Sequence, residues 1–519
     1  MQLSEFIESK LEYLQSKPIL ALSIVMLLGL SLRVYFTPWH LPTESHDAFI
    51  FMIEGVQYSK GDFSSLGYRF LWPMFLSVFF LIFRFDSYFE YMTLVRIISI
   101  VISTLSIPVL YLISKQFVGV KYAVLATVFF TVEANLVENS IFGITEPLFI
   151  LLGLLSIYFM IQKNERYFPF AFVFAGLAFD TRINGIVLIL ILIILSIIKI
   201  KNHRTSVRIL SIGFLLLFAI IAPMNLIYPA LEGNKVLPYV DFTVTAISEG
   251  QEYYSTAQLG GNPTSLEIIQ NAIKNEIMNF FRITIPYLII LFPYGIFISL
   301  KNINYEKKIL FSVIVFSLII AIPQHTISNE YRNLFFIVPF LCIFSAITFE
   351  KITEKIELKN IFLMLLILGI ILISVNFLKE RYDVDNEYII EKDSFGKYVA
   401  NNLEGNITGN IRLEIIRNMD DLRNTPEGYK NEKLTLFDPG FPIYSLSELM
   451  NYSIQNKIDY LIIEQNKVEK HFPVFHKIEF YEDNLPFLKE IYNTQELDYN
   501  KLKIKIFKIN YEEYQETLN

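Results

Sequence analysis

Apolar runs long enough to cross a bilayer recur along the first three quarters of this chain and then stop. The segment Gly185 to Ile200, GIVLILILIILSIIKI, is representative. Such runs alternate with short charged stretches up to about residue 378, and none follows. Inside hydrocarbon each backbone N–H and C=O must be satisfied within its own segment, so the pattern dictates a polytopic bundle of α-helices. A hydrophobic content of 53% and a mean hydropathy of +0.43 exclude an ordinary soluble protein. Charge divides at the same point: 27 basic and 25 acidic side chains precede residue 380, whereas 17 basic and 26 acidic lie from there onward. Residues 1–379 are therefore expected to form a transmembrane domain among membrane lipids, and 380–519 a solvated α/β domain. No nucleic-acid partner is expected. The lone cysteine, Cys342, rules out an intrachain disulfide and a Cys-rich metal site.

The N-terminal MQLSEFIESKLEYLQSK is too long and too acidic for the n-region of a cleaved signal, so Pro18 to Phe36 reads as an uncleaved signal anchor. Spans are expected at roughly 18–37, 91–114, 121–138, 145–162, 167–181, 184–200, 207–229, 280–300, 309–323, 333–349 and 360–378, about eleven transmembrane helices. One further run, Phe70 to Phe83, is short, contains Pro73 and is bracketed by Arg69 and Arg84. If it does not cross, the basic loops KQFVGVK (115–121), KNER (163–166), KIKNHRTSVR (199–208) and KNINYEKK (301–308) share one side. The positive-inside rule makes that side cytoplasmic. The N-terminus is then inside and the C-terminal domain extracytoplasmic. The Phe70 run becomes an interfacial or re-entrant helix within a long first outer loop, about 38–89.

That topology gathers Glu44, His46, Asp47, Arg69, Glu146, Arg182, His325, Glu330 and Arg332 on the outer face. Ionisable groups at membrane depth are costly and are by default hypotheses for function. Asp47 has two readings, a helix N-cap after Pro42 or a general base in a membrane-edge cleft. The crowding of Glu44 and His46 and the length of the loop favour the second. Glu146, between Thr145 and Pro147 at the head of a span, suits a helix-dipole role and a catalytic one equally. Glu133 and Glu138, ending the preceding span, read as interfacial. Arg182 follows GLAFDT, and Arg332 lies in QHTISNEYRNLFFIVPFL near His325. Both suit lipid headgroups or a substrate phosphate gripped by the planar guanidinium fork, and their place on the carboxylate face favours substrate.

Beyond residue 380, KLTLFDPG, SLSELMNYSIQNK, DYLIIEQ, NLPFLKEIYNTQE and KLKIKIFKIN read as β, α, β, α and β. Ser445 or Ser447 starts the first of these helices, and the whole reads as a small α/β layer domain. Two glycosylation sequons, Asn406-Ile407-Thr408 and Asn451-Tyr452-Ser453, fall within it.

Taken in order, these segments resemble the GT-C superfamily of membrane glycosyltransferases, particularly the protein mannosyltransferase and lipid A aminoarabinose transferase group, and are glycosyltransferase family 39-like. DAFIFMIEGVQYSKGD followed by YRFLWPMFLSVFFLIF is similar to that group's first outer loop. ITEPLFILLGLLSIYFM is similar to its second acidic site, and GLAFDTRINGIVLILIL and EYRNLFFIVPFL to its later arginine motifs. The resemblance implies a GT-C type fold, a polyprenyl-phosphate-linked sugar as donor, and a protein, lipid or glycan acceptor. It implies Asp47 as catalytic base, with Glu44 and Glu146 as further acidic candidates, and Arg69, Arg182, His325 and Arg332 toward the lipid phosphate. Where the family pairs Asp with Glu, this chain has Asp47-Ala48, with Glu44 three residues earlier. The Trp-Trp-Asp motif of oligosaccharyltransferases is missing, the only tryptophans being Trp39 and Trp72, so en bloc transfer to asparagine is not expected. The pattern fixes no cofactor and leaves room for a divalent metal.

The chemistry fits these residue types. A polyprenyl phosphate is already a good leaving group, so one base and some positive charge suffice, and a single displacement inverts the anomeric centre. The rival reading is a transporter or lipid-linked-sugar flippase. No internal repeat is visible, and the long outer loop and tail suit an enzyme acting at one face. A third reading is a scaffold whose tail binds a partner; donor turnover separates the enzyme from both.

Overall fold

The computed structural model describes residues 17–518 other than 44, 64–69, 201–203, 228–263, 326–329, 355, 357–358, 382–385, 420–422, 426–427, 440–442, 444, 466–473, 476–484 and 498. It divides into two compact units, one of residues 1–37 and 43–383, the other of residues 38–42 and 384–519.

The first unit is helical. Pro18 opens α1 (Pro18–Phe36), where its missing N–H would have had no helical partner anyway. α2 (His46–Ser59) starts at Ser45, whose hydroxyl accepts from the Ala48 N–H. It packs on α3 (Leu71–Ile82), which is the Phe70 run. At 12 residues α3 is about 18 Å long, short of a hydrocarbon core of about 30 Å. Its Trp72 is fully buried and donates from Nε1 to the Gly143 carbonyl at 3.2 Å. There follow α4 (Tyr88–Ser114), α5 (Val120–Val132), α6 (Ala134–Ile141), α7 (Glu146–Met160), α8 (Phe168–Thr181), α9 (Ile186–Ile200) and α10 (Arg204–Ala222). The unit ends with α11 (Ser265–Thr284), α12 (Leu288–Lys301), α13 (Tyr305–Gln324), α14 (Val338–Thr353) and α15 (Lys359–Arg381).

Two expected spans are not straight. The run at 121–138 breaks at Glu133, where α5 turns by 54° into α6. The Glu133 carboxylate caps the new helix, accepting from the Leu136 N–H at 2.8 Å. The guanidinium of Arg33 donates to the Thr131 carbonyl in the last turn of α5 at 3.3 Å, to Gly29 O at 3.0 Å and to Ser103 Oγ at 3.1 Å. The run at 280–300 straddles a 102° turn between α11 and α12, where Pro286 has no N–H to continue the helix. The run at 333–349 opens with a 3₁₀ segment, Tyr331–Ile337, before α14. α14 is the most enclosed span, with Phe340, Cys342 and Phe344 wholly buried. It lies close to α12 because a Cβ at Gly295 would meet the Phe344 carbonyl oxygen at 1.9 Å.

The chain is a multi-pass membrane protein. Among the described residues, four helical segments are long and apolar enough to cross by themselves, or six if each bent pair forms one span. About eleven crossings require the shorter apolar helices to cross as well.

The second unit is an α/β layer. It contains α16 (Asn386–Asn402), β1 (Gly405–Gly409), α17 (Arg412–Arg417), β2 (Arg423–Thr425), β3 (Gly428–Lys430) and β4 (Leu434–Phe437). These are followed by α18 (Leu446–Asn456), β5 (Tyr460–Glu464), β6 (Leu488–Asn493), β7 (Ile504–Ile509) and α19 (Tyr511–Leu518). The sheet order is β2-β3-β4-β1-β5-β7-β6, with β1 parallel to β4 and β5 and the other pairs antiparallel. Gly409 (φ 128°) ends β1 where a Cβ would lie 2.1 Å from the Ile462 carbonyl oxygen, so only glycine fits the β1–β5 approach. Of the two candidate serines, Ser445 starts α18, in a capping box with Glu448.

NLPFLKEIYNTQE, expected as a helix, supplies strand β6. The run is short, Pro486 denies an N–H to a helix, and pairing with β7 satisfies Leu488 to Asn493 instead. The first sequon is structural: the Asn406 side-chain amide donates to the Asn456 and Lys457 carbonyls, and the buried Thr408 hydroxyl donates to Phe437 O. Asn406 therefore does not present its nitrogen to a glycan. Asn451 is exposed on α18.

Candidate active site

Four element ends bring Asp47, Arg332, Glu146 and Arg182 together. Ser45 performs the capping of α2, so Asp47 is not the cap. It sits in the first turn of that helix, and its Oδ2 accepts from Arg332 Nη2 at 2.6 Å. Arg332, at the start of the 3₁₀ segment before α14, also donates from Nε to Glu330 Oε2 at 2.6 Å and stands 3.7 Å from Glu146 Oε1. Glu146 opens α7 and accepts from Arg182 Nη1 at 2.5 Å. Arg182, in the extended break after α8, further donates to Thr145 Oγ1 (3.1 Å) and, from Nη2, to Asn333 Oδ1 (3.0 Å).

Exposure grades this chain of charges. The side chains of Arg182 and Glu146 are 6% and 1% exposed, those of Arg332 and Asp47 23% and 25%. A buried pair held on several sides is a brace. The half-buried pair in front of it keeps access to solvent and to a ligand. Beside Arg332 lies a cavity of about 380 Å³, lined by Ser45, Asn135, Glu138, Asn139, Arg282, Glu330, Tyr331 and Phe335 among others. Its walls mix amides, carboxylates, aromatic rings and two guanidinium groups, the donor and acceptor set that a polyhydroxylated anionic ligand requires.

The remaining sequence candidates divide. Glu44 and Arg69 lie outside the described residues. His325 is fully buried at the end of α13, its Nδ1 3.0 Å from Asn279 Nδ2 and its Nε2 3.6 Å from Glu276 Oε2, both on α11. It thus faces α11 and does not line the cavity. Its neighbour Gln324 donates to Asn184 Oδ1 (2.6 Å), and Asn184 donates to the Asn333 carbonyl (3.0 Å), which ties this end of α13 to the segment bearing Arg332. Arg282, Asn135 and Asn139 were not singled out in the sequence. They reach the cavity through the bends at Thr284–Tyr287 and Glu133, and a straight-span reading hides both. Glu138, read as interfacial, lines the cavity too. Among the described residues no three His, Cys, Asp or Glu side chains group as metal ligands; the carboxylates of Asp47, Glu146 and Glu330 instead surround Arg332.

Residues 70–228, from α3 through α10, match the family model described as dolichyl-phosphate-mannose-protein mannosyltransferase. Among solved structures, the apo form of the Archaeoglobus fulgidus oligosaccharyltransferase superposes with a TM-score of 0.56 at 11% identity, covering 86% of this chain and 69% of that one. ArnT from Cupriavidus metallidurans, bound to undecaprenyl phosphate, superposes with a TM-score of 0.55 at 9% identity, covering 94% of this chain and 97% of its own. The chain has the GT-C fold. At these identities the GT-C likeness is one of fold, and its coverage of ArnT takes in sequence from both compact units. The stretch matched by the family model holds the Glu146–Arg182 brace, while Asp47 and Arg332 lie outside it. No curated protein matches the chain in sequence.

Proposed function

We propose that this GT-C chain transfers a sugar from a polyprenyl-phosphate donor to an acceptor hydroxyl at the extracytoplasmic face of the membrane, by inverting single displacement with Asp47 as the base. The observation that carries the reading is the Asp47–Arg332 pair, partly exposed beside a cavity that Arg282 and Arg332 line, and braced from behind by Glu146–Arg182. The relatives are consistent with it: one ArnT structure holds undecaprenyl phosphate, and one archaeal oligosaccharyltransferase structure holds dolichol-phosphate and an inhibitory peptide.

Asp47 takes the proton of the acceptor hydroxyl as its oxygen attacks the anomeric carbon. The bond from that carbon to the phosphate oxygen breaks, and polyprenyl phosphate leaves with the electron pair. Arg332 supplies positive charge beside the base, and Arg282, exposed on the cavity wall, is assigned the phosphate. Arg182 is given the bracing role instead, because it is buried and already donates to Thr145, Glu146 and Asn333. Glu138, Asn135 and Asn139 are assigned to sugar hydroxyls. Glu44, close to Asp47 in sequence, is kept as the second acid of the outer loop, and Arg69 as a further phosphate contact. The scheme routes no step through a metal.

The test is turnover of a panel of synthetic polyprenyl-phosphate sugars by the purified chain, with product configuration read by NMR. The expected result is release of polyprenyl phosphate from one donor class with inversion. Movement of donor across vesicles without turnover of any member would support a flippase and overturn the proposal. Arg282→Ala is expected to raise the donor KM about tenfold or more, on the scale of one lost charge-assisted contact.

A further inference from the structure

A second concavity lies away from the charged cluster. Of the four unbroken spans among the described residues, α1 and α15 are the least enclosed, 17% and 22% buried along their apolar stretches, and both pack against α5. At one end they close together: Phe36 of α1 and Phe377 of α15 pack with Leu378 over Ala134 and Val137 of α6. At the other end they part and leave a groove of about 330 Å³, walled by Ala21 and Val25 from α1, Val124 and Leu125 from α5, and Met364 and Ile367 from α15. Its polar lining is at the mouth, where Lys121 Nζ donates to Asn360 Oδ1 at 2.5 Å. Lys17, exposed beside Pro18, adds a second cation at this end. The nearby carboxylate of Glu350 accepts from the Gly119 N–H.

The dimensions select the occupant. On α1 the groove runs from Pro18 to Leu28, about 15 Å of helix, which is half of a hydrocarbon core of about 30 Å. That is the depth of one leaflet. Both α1 and α5 then continue away from the groove toward the site: α1 leads to Ser45 and Asp47, and α5 leads through Glu133 to Asn135 and Asn139. The groove therefore opens at the membrane face opposite the cavity, where a donor with its phosphate at Arg282 or Arg332 does not place its own phosphate.

We propose that this groove binds one acyl chain of an anionic glycerophospholipid of the leaflet opposite the cavity, with the headgroup phosphate at Lys121. Apolar walls supply the affinity for the chain, and Lys121 with Lys17 supplies the preference for negative charge. The inference is independent of the sugar-transfer reading.

Native mass spectrometry of the purified full chain, loaded with equimolar phosphatidylglycerol and phosphatidylcholine, tests it. One retained lipid is expected, with phosphatidylglycerol favoured about fivefold, the scale of one lysine near an anionic headgroup. The double variant Lys17→Gln/Lys121→Gln is expected to bring that ratio to about one while lipid is still retained. Ala21→Trp fills the groove and abolishes retention, and Met364→Trp does the same from the opposite wall. Leu27→Trp, on the exposed side of α1 and outside the groove, leaves retention unchanged. Equal retention of the two lipids by the natural chain, or retention in the two groove-filling variants equal to that of Leu27→Trp, would overturn the proposal.

Discussion

Glu146 and Arg332 show how two charges a few ångströms apart take on different work. Glu146 is 1% exposed and anchored by Arg182, so its removal strands a buried guanidinium. Glu146→Gln should destabilise the folded chain by about 3–5 kcal/mol, and adding Arg182→Met should recover part of that loss, a coupling read from thermal unfolding of the single and double variants in detergent. Arg332 is 23% exposed and screened by water on its open side. Arg332→Ala should cost only about 1 kcal/mol of stability yet remove most sugar transfer. Equal stability losses at the two positions would refute the division into brace and working pair. At this scale much was legible in the sequence: Asp47, Glu146, Arg182 and Arg332 stand out as charges beside apolar runs, and the structure brings all four together. The cap reading of Asp47 needed coordinates to dismiss, because Ser45 and Asp47 are both good caps and only geometry shows which oxygen meets the Ala48 N–H.

Helix breaks build the cavity. α6 exists as a separate element because Glu133 caps it and Arg33 holds a carbonyl at the end of α5, and α6 presents Asn135, Glu138 and Asn139. Arg33→Met should cost about 1–3 kcal/mol through the groups left without a partner, and should weaken donor binding as α6 straightens. A shift in melting temperature with unchanged donor KM would show that the bend does not depend on Arg33. Gly295→Leu should prevent α12 and α14 from approaching and leave chain that aggregates on extraction, because the added atoms meet the Phe344 backbone rather than a side chain that can swing away. Hydropathy did not reveal these features. Apolar periodicity registers that a run is buried in lipid or protein but carries no signal for a 54° bend without proline, and it assigned β6 to a helix because short amphipathic runs serve either period.

For the whole molecule, the change in composition near residue 380 corresponds to the passage from a unit of apolar helices to one built on a seven-stranded sheet. Sidedness rests on the basic loops. In a Cys342→Ala background, cysteines replacing Lys60 and Asn451 should react with an impermeant thiol reagent from outside, and one replacing Gln116 only after permeabilisation. Outside labelling at 116 would reverse the topology. The central claim is that a carboxylate at position 47 removes the acceptor proton. Its most direct test is the rate of sugar transfer from the preferred polyprenyl-phosphate donor by Asp47→Asn, purified and shown to be folded and to bind that donor normally. Loss of about 10²–10⁴-fold in kcat is predicted, the usual contribution of a general base; transfer at the natural rate would contradict it.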